Sequence, residues 1–519
     1  MDKKILFVSA EVAPYVTVGG LSQVMYYLSR ALNKRGDDVR IFTPKYGVTK
    51  LKTSSGRPYK LKREFMGLAV PVNGPRSEKL ICNVLKLAPR GNDATIYFLE
   101  NREYYELRAN VFGYKDDHTR FALLAKGCLE WLRTQREKIK SGKKDIWWPD
   151  VIHCHDWHTA YLVEMARKDR RYRTLLKDVP VVLTVHNFKY QGVKDFRYLR
   201  EEEKDDGSSP LEPLKSDKLR DQNALLRGLL CADAITTVSP THALEVLTPE
   251  YSEGLLDVLT RVRGKLSGIL NGLDLDEFDP AADPIIKKQY TSASFESARV
   301  INKKDLQREF GLPQDPEAAV MAFVGRLTSQ KGIELIIDAM PHLLEEREDV
   351  QLIVLGGGDE RFRKGLDELR SRFPDNVGLF LHADFKLPRK IFAGADIILM
   401  PSMFEPGGIV ALESLRFGAI PIVRRTGGLS DIIEDFNPVT LEGNGFSFQE
   451  KSPWSLYGVI IESLTLHSQP QVWRRLVRNA IRSVVTWDDA AAEYDDWYDR
   501  TIRERVRVLK QKKRGGLVP

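Results

Sequence analysis

The feature that most constrains the fold of this chain is a repeated alternation of short apolar runs with segments of helical periodicity. Each run ends in glycine, proline or polar residues, as buried strands of a parallel sheet do. The alternation predicts an α/β fold in which parallel sheets are covered by helices on both faces. The predicted strands are Ile5–Ala10, Val39–Phe42, Val151–His153, Val181–Val185, Ala234–Val238, Val320–Val324, Gln351–Leu355, Val377–Leu381, Ile397–Met400 and Ile420–Val423.

The apolar runs fall into two sets, which predicts two doubly wound domains. A chain of 519 residues is too long for a single ordinary core. A segment rich in proline, alanine, aspartate and serine lies between Asp279 and Lys303 and is the expected crossing. We therefore expect an N-terminal domain at residues 1–280 and a C-terminal domain at residues 281–485.

Composition and charge disfavour several classes of protein. The net charge of +7 is small for this length, and no basic-aromatic module stands out, which disfavours nucleic acid as a partner. No uncharged stretch approaches the roughly 18 residues of a membrane-spanning helix. The four cysteines form no CxxC pair, which disfavours a zinc site or disulfide framework and suits the cytoplasm. The basic segments Thr134–Lys144 and Arg167–Lys177 are interpreted as solvated helix faces.

Ligands of such sheets bind at the carboxyl ends of the strands, so the residues after each apolar run are the candidates for chemistry. Val16–Ser22, here named the first glycine loop, contains Gly19 and Gly20 and precedes a helix. Paired glycines at a helix N-terminus let the backbone approach a diphosphate, whose charge the helix dipole favours. A tight turn without a ligand is the alternative.

Two further strands of the first half end in polar tips. His153–His158 contains three histidines, and Thr184–Asn187 ends the next strand. A metal site is disfavoured because alternate strand residues point to opposite faces and no further cluster completes a ligand set. We expect neutral histidines that donate hydrogen bonds to sugar hydroxyls, with satisfied buried histidines as the alternative.

In the second half, two cations lie between a predicted strand and the helix that follows it. Arg326 and Lys331 are five residues apart in this segment. Cations beside a helix N-terminus suit the binding of a leaving diphosphate. Solvent-exposed charges are the alternative, which this placement after an apolar strand disfavours.

A second candidate in this half is the glycine- and proline-rich loop Pro401–Gly408, which contains Glu405. A carboxylate there needs donors, and a bound sugar supplies several hydroxyls. Glu413 follows eight residues later, in the next helix. Arg424–Leu429, here named the second glycine loop, repeats the pattern of the first.

Segments along most of the chain carry a resemblance to a known family. They are Ser9–Pro14, Gly19–Leu21, His155–Ala160, Thr184–Asn187, Ala232–Asp233, Thr237–Thr241, Gly268–Asp274, Gly325–Leu327, Gln330–Gly332, Pro401–Ser402, Phe404–Pro406 and Arg424–Leu429. In this order they resemble the bacterial glycogen synthases and starch synthases, which are retaining glycosyltransferases of the GT-B fold (glycosyltransferase family 5-like). Each segment is moderately specific, whereas their joint order is highly specific.

The resemblance implies two Rossmann-like domains with an active-site cleft between them. The N-terminal domain would hold the acceptor, the C-terminal domain would bind the nucleotide sugar, and residues 486–519 would form a helix returning to the N-terminal domain plus a basic tail. The implied reaction transfers glucose from ADP-glucose, or UDP-glucose, to the non-reducing end of an α-1,4-glucan. It needs no metal or cofactor, because leaving-group stabilisation, positioning and water exclusion supply the catalysis.

The resemblance also implies roles for individual residues. Arg326 and Lys331 would hold the donor diphosphate, and Glu405 would bind the glucose hydroxyls. His158 would contact the transferred sugar, and Asp116 would line the acceptor side. The remaining implied donor- or sugar-binding residues are Gly19, Gly20, Asn187, Asn223, Gly407, Gly408, Glu413, Thr426 and Gly427, with Tyr105 on the acceptor side.

Four positions depart from the family pattern. Thr17 replaces the usual lysine, Gln23 the usual aspartate and Gly407 the usual cysteine, while Glu413 completes a Glu-x7-Glu pattern found in the broader sucrose-synthase-like enzymes. Two alternatives therefore stay open. One is a related glycosyltransferase with another sugar or acceptor, and the other is a glucan-binding homologue that has lost catalysis.

Overall fold

The computed structural model describes residues 2–53, 56–72, 78–193, 196–384 and 386–514. The chain forms two compact units. The first unit comprises residues 1–238, 243–269 and 487–519, and the second comprises residues 239–242 and 270–486. The observed boundary thus follows Ile269, whereas the prediction placed it after residue 280. Leu273 accounts for part of the difference, because its N–H donates to the carbonyl of Val485 at 2.9 Å within the second unit.

A sheet of nine strands within the described residues forms the first unit, in the order β3-β4-β5-β2-β1-β6-β7-β8-β9. Its strands are β1 Lys4–Val8, β2 Asp38–Pro44, β3 Leu61–Pro71, β4 Lys79–Leu87, β5 Thr95–Glu100, β6 Val151–His155, β7 Val181–Val185, β8 Ile235–Thr237 and β9 Leu266–Gly268. Every pairing is parallel except those of β4 with β3 and β5. The sequence did not predict β3, β4, β5 and β9. In β3, half-exposed, charged residues interrupt the apolar pattern.

The second unit contains a six-stranded sheet in the order β12-β11-β10-β13-β14-β15 within the described residues. The strands are β10 Ala319–Val324, β11 Val350–Leu355, β12 Val377–Phe380, β13 Ile397–Met400, β14 Ile420–Arg424 and β15 Phe446–Phe448. All of its pairings are parallel. Because helices cover both faces, strands such as β11 and β13 are buried along their whole length. The predicted α/β fold with two parallel-sheet units is confirmed.

Helices connect the strands in both units. They are α1 Gly20–Lys34, α2 Asp117–Lys140, α3 Trp157–Lys168, α4 Arg170–Leu175, α5 Ala224–Cys231, α6 Pro240–Glu245, α7 Leu256–Val262, α8 Phe295–Glu309, α9 Ile333–Glu346, α10 Glu360–Arg372, α11 Leu387–Gly394, α12 Ile409–Arg416, α13 Gly427–Ile432, α14 Pro453–His467, α15 Pro470–Arg482 and α16 Trp487–Arg514. Within the ranges given above, no helix is both long and apolar enough to cross a membrane.

The last helix, α16, belongs to the first unit and packs on it through aromatic side chains. Tyr494, Trp497 and Tyr498 are buried, and the hydroxyl of Tyr498 lies 2.7 Å from Nδ1 of His153. Farther along the helix, Arg505 donates a hydrogen bond to the carboxylate of Asp233 at 2.9 Å. The end of the predicted basic tail, residues 515–519, lies outside the described residues.

Candidate functional site

The first glycine loop follows β1 and leads into α1, as predicted. Its amides already have an acceptor, because the N–H groups of Val18 and Gly19 donate to Oε2 of Glu11 at 2.8 and 3.1 Å. Burial raises the pKa of Glu11 to about 7, against the lowering effect of these two hydrogen bonds. The Gly19 N–H, which was predicted to approach a diphosphate, therefore already donates its hydrogen bond to a carboxylate of this chain.

Neither glycine of this loop is required by the packing around it. A Cβ atom at Gly20 would meet nothing within 4 Å among the described residues, and one at Gly19 would meet only Oε1 of Glu11, at 3.8 Å. Glycine costs backbone entropy compared with alanine, so its use without a steric reason favours a close approach by a ligand.

Three histidines gather at the carboxyl ends of β6 and β7, and two of them, His153 and His155, are fully buried. Nε2 of His153 lies 2.6 Å from Oγ1 of Thr184, and Nδ1 of His155 lies 3.2 Å from Nε2 of His186. Burial lowers the pKa of His153 and His155 well below the usual range, and that of His186 to about 3. These rings are therefore neutral at pH 7, as the sequence predicted.

His158, the predicted sugar contact, lies in the first turn of α3. Its ring packs against Phe112, Phe121 and Trp157, with centroid distances of 4.9, 4.7 and 4.3 Å. Burial lowers the pKa of His158 to about 3, and its Nδ1 has no hydrogen-bond partner within the described part of the chain. That nitrogen is buried, so only the remaining 9% of the His158 surface is open to a hydroxyl group, with which a neutral imidazole can exchange a hydrogen bond.

Asn187, another predicted contact, lies beside an aspartate with an unusual backbone. Asp156 adopts φ +58°, which is uncommon for a residue other than glycine. Its carboxylate accepts the backbone N–H of His186 at 2.7 Å and also that of Asn187. Burial raises the pKa of Asp156 to about 7 despite these bonds. Asp156 thus fixes the backbone of His186 and Asn187 at the end of β7.

Two other predicted residues, Tyr105 and Asn223, have structural partners instead of open faces. Tyr105 is fully buried and its hydroxyl donates to the carbonyl of Arg120 at 2.8 Å, so it presents no surface to an acceptor here. Asn223 is fully buried as well, because it caps α5 by accepting the N–H of Leu226. For these two residues the predicted ligand contact is replaced by support of the fold.

Asp116 stands before α2 and is partly exposed. Its carboxylate forms an ion pair with Arg108 at 2.6 Å, and its side chain is 33% exposed. The group therefore remains accessible, and its predicted acceptor role stays a prediction.

In the second unit, the structure brings Lys331 and Glu405 together across 74 positions of sequence. Nζ of Lys331 donates to Oε2 of Glu405, with the two side chains 21% and 16% exposed. The hydroxyl of Ser402 lies 3.3 Å from the same oxygen. Arg326 follows β10 and is exposed, as the prediction of an accessible cation requires.

Backbone contacts between loops explain why this pair forms. The residue after Lys331, Gly332, has φ +66°, and a Cβ there would lie 1.9 Å from the carbonyl oxygen of Pro401. The N–H of Met403 donates to the carbonyl of Gln330 at 2.9 Å. The Lys331 turn and the Glu405 loop therefore form one packed layer at the carboxyl ends of β10 and β13.

The second glycine loop holds the Glu405 loop from the other side. Gly427 has φ +45°, and a Cβ there would lie 2.2 Å from the carbonyl oxygen of Glu405. The N–H of Gly428 donates to that oxygen at 3.0 Å. Of the other predicted residues, Thr426 is buried before α13, and Gly408 begins α12 with φ +66°. Gly407 is partly exposed beside it.

Arg424 and Glu11 are the site residues that sequence reasoning missed. Arg424 is buried at the end of β14 and donates to the carbonyls of Ser402 and Met403 at 2.8 and 2.5 Å, which fixes the loop before Glu405. Both residues lie in segments that resemble the family, and a charged residue at the end of an apolar strand was the signal for each.

Glu413 lies in α12, eight residues after Glu405. Burial raises its pKa to about 7, against the attraction of Arg389. Arg389 is also paired with Asp283 at 2.9 Å and with Glu277. The charged groups that act on Glu413 are therefore residues outside the predicted site.

No set of three His, Cys, Asp or Glu side chains in the described parts of the chain could hold a metal ion. The absence of a metal requirement stays a prediction.

Comparison with known proteins identifies the family. Residues 4–261 match the family described as starch synthase catalytic domain, and residues 304–480 match glycosyl transferases group 1. A glycogen synthase of Geobacillus thermodenitrificans is 36% identical over 509 residues, covering 98% of this chain and 99% of the relative. One from Clostridium beijerinckii is 38% identical over 497 residues, covering 95% and 98%.

A solved structure agrees with these matches. It is the catalytic domain of starch synthase IV from Arabidopsis thaliana bound to ADP and acarbose, which matches with a TM-score of 0.79 and 28% identity. The match covers 97% of this chain and 100% of that one, and confirms the predicted GT-B fold. On these full-length similarities, the chain belongs to the glycogen and starch synthase family of retaining glycosyltransferases.

Proposed function

We propose that this enzyme transfers glucose from ADP-glucose to the non-reducing end of an α-1,4-glucan, with retention of the anomeric configuration. The observation that carries the proposal is the Lys331–Glu405 pair, held by three loops at one edge of the second sheet. The relatives that share this full-length similarity are glycogen synthases, and the related starch synthase structure contains ADP and acarbose.

Lys331 has the chemistry to stabilise the leaving group. Its ammonium carries three donors, so it can keep the hydrogen bond to Glu405 while another donor meets a phosphate oxygen. Arg326, exposed at the end of β10, adds a planar cation suited to phosphate. As the bond from glucose to the nucleotide breaks, negative charge grows on the diphosphate, and these two cations stabilise that charge.

Glu405 would bind hydroxyls of the glucose that is transferred. A carboxylate accepts several hydrogen bonds, and Lys331 and Ser402 both contact the same oxygen of Glu405, Oε2. Because Lys331 links it to the phosphate position, sugar binding and leaving-group binding share one rigid layer. Such pre-positioning lowers the entropy cost of reaching the transition state.

The first unit contributes neutral hydrogen-bonding groups, which we propose to recognise sugar hydroxyls. His158 is a neutral imidazole, and the backbone at Asn187 is held by the carboxylate of Asp156. Neutral groups suit this task, because a fixed charge would have to lose its hydration without gaining a counter-charge from the sugar.

Thr17 bears on the choice of donor nucleotide. Thr17, exposed in the first glycine loop, stands where the family carries lysine. Introducing Thr17→Lys should tighten donor binding about tenfold, as one added charge-assisted hydrogen bond would. The same departure, with Glu413, keeps a related glycosyltransferase with another sugar as the second candidate function.

We place the reaction in the cytoplasm, without a metal or cofactor. All four cysteines of the chain lie in the described residues and are free thiols, which suits a reducing compartment. EDTA-treated enzyme should retain its full rate of transfer.

The test is transfer of labelled glucose to glycogen from ADP-glucose and UDP-glucose, measured side by side. The proposal expects faster transfer from ADP-glucose and loss of about 100-fold in Glu405→Gln. The control Glu442→Gln removes an exposed carboxylate of the same unit and should keep the parental rate. Proton NMR of a maltohexaose product should show the new α-linkage. Nucleotide-sugar hydrolysis without transfer to either glucan would contradict the glucan assignment.

A further inference from the structure

A basic cavity on the first unit contains none of the residues assigned to the reaction. It is formed by β3, β4, α2 and α4, has a volume of about 720 Å³, and lies within the size range of ligand sites. Its lining residues are Ala69, Pro71, Lys79, Arg133, Asp169, Arg170, Arg171 and Thr174. We propose that this cavity is a second binding site, for a small molecule that carries a phosphate group.

A buried carboxylate prepares two of the arginines for a ligand. Glu130 is fully buried, and its Oε2 accepts Nε of Arg133 at 2.8 Å and an N–H of Arg171 at 3.0 Å. Its Oε1 accepts the hydroxyl of Tyr172 at 2.6 Å. Arg133 also donates a hydrogen bond to Glu137. A guanidinium has five donors, so each arginine keeps donors that these carboxylates do not use.

The other two cations supply charge at the surface of the cavity. Lys79 and Arg170 are exposed, and neither forms an ion pair within the described ranges. Asp169 is the one acidic residue of this lining. Its Oδ1 accepts the backbone N–H of Arg171 at 2.9 Å. The lining carries four cations and one carboxylate, while Glu130 and Glu137 pair with two of the arginines. The net positive charge therefore comes from Lys79 and Arg170, and it favours an anion.

The lining also selects among anionic ligands. It contains no aromatic side chain, so it lacks the flat apolar surface on which a glucan ring would stack. Arginine matches the geometry of phosphate oxygens, and clustered arginines with a lysine suit a dianion. The basic segment around α4 is therefore more than the solvated helix face that its sequence indicated.

The test is calorimetric titration of the full chain with glycerol 3-phosphate, in saturating ADP to occupy the donor site. The inference expects binding at one site that weakens about tenfold in Arg170→Ala, the loss of one charge-assisted hydrogen bond. Lys79→Ala should weaken it in the same direction. Arg173→Ala is the matched control, because Arg173 is an exposed arginine of α4 that does not line the cavity.

Inorganic phosphate, titrated in parallel, identifies the source of the ligand. Tighter binding of glycerol 3-phosphate assigns the site to phosphate esters, and tighter binding of inorganic phosphate assigns it to the free ion. No binding of either probe, binding abolished by ADP, or equal affinities of Arg170→Ala and the parent would overturn the inference. None of these readouts depends on glucose transfer.

Discussion

The two glycine loops have nearly the same sequence pattern and different physical tasks. In the first, the amides of Val18 and Gly19 bind the Glu11 carboxylate, and a Cβ at Gly20 would meet nothing within 4 Å among the described residues. In the second, Gly427 is pressed against the carbonyl of Glu405. The first loop leaves space beside its glycines, whereas the second uses them to build the layer that holds Glu405.

The comparison teaches that a paired-glycine motif does not by itself define a ligand site. Glycine can be required because a backbone must approach another backbone, or because a ligand must approach it. The two cases differ in what an added methyl group would do, so alanine substitutions separate them.

The largest loss of stability and of glucose transfer is expected from Gly427→Ala. The new Cβ would overlap the carbonyl oxygen of Glu405 at 2.2 Å, in a backbone conformation with φ +45° that alanine rarely adopts. We expect a loss of about 2 to 4 kcal/mol of stability in the second unit and near-complete loss of transfer. Thermal unfolding measures the loss of stability, and the glucose-transfer assay measures the loss of activity. A fully stable, fully active variant would show that the second loop does not position Glu405.

A smaller change in stability, which depends on pH, is expected from Glu11→Gln. The folded pKa of about 7 lies above the usual value of 4.5, so the native state binds a proton more tightly than the unfolded state. The carboxyl therefore supports folding below about pH 4.5, and this support is lost as the pH rises through 7.

Relative to the parent, Glu11→Gln should become progressively more stable between pH 5 and pH 8. The gain should not exceed about 3 kcal/mol, the equivalent of the full pKa shift. Urea unfolding at each pH measures it, with the exposed Glu103→Gln as a control of equal charge. A stability difference that stays constant with pH would contradict the assignment of a protonated Glu11.

The smallest effect on stability is expected from Gly20→Ala. The added methyl group is accommodated at the first residue of α1, so the unfolded state loses entropy and the protein gains about 0.4 to 1 kcal/mol. Donor affinity should fall nonetheless, because the methyl group would occupy the space kept for a ligand. Unchanged KM for the donor would make the first loop a simple turn, which was the alternative interpretation of its sequence.

Much of the fold was predictable, because apolar runs bounded by polar residues are specific for buried parallel strands. β3 and β4 were missed because their exposed, charged residues carry no such run. The domain boundary was placed too late because the backbone bond from Leu273 to Val485 joins distant segments and leaves no local signal.

For the candidate site, position after a strand selected Lys331 and Glu405, which the structure brings together because parallel strands end at a shared edge. Sequence could not show that Lys331 and Glu405 are paired, because 74 positions separate them. It also could not show that Tyr105 and Asn223 are buried, since a motif match carries no information on exposure. Glu11 was missed because the glycine pattern does not reveal which group satisfies the loop amides.

The central claim is that Lys331 stabilises charge that develops on the leaving diphosphate. Steady-state kinetics of Lys331→Ala test it most directly, with Lys364→Ala as the control because Lys364 is an exposed lysine of the same unit. An interaction that strengthens in the transition state should lower kcat by about 100-fold or more, with a smaller change in KM for the donor. A raised KM with unchanged kcat would contradict the claim and leave Lys331 as a residue that only binds the ground state.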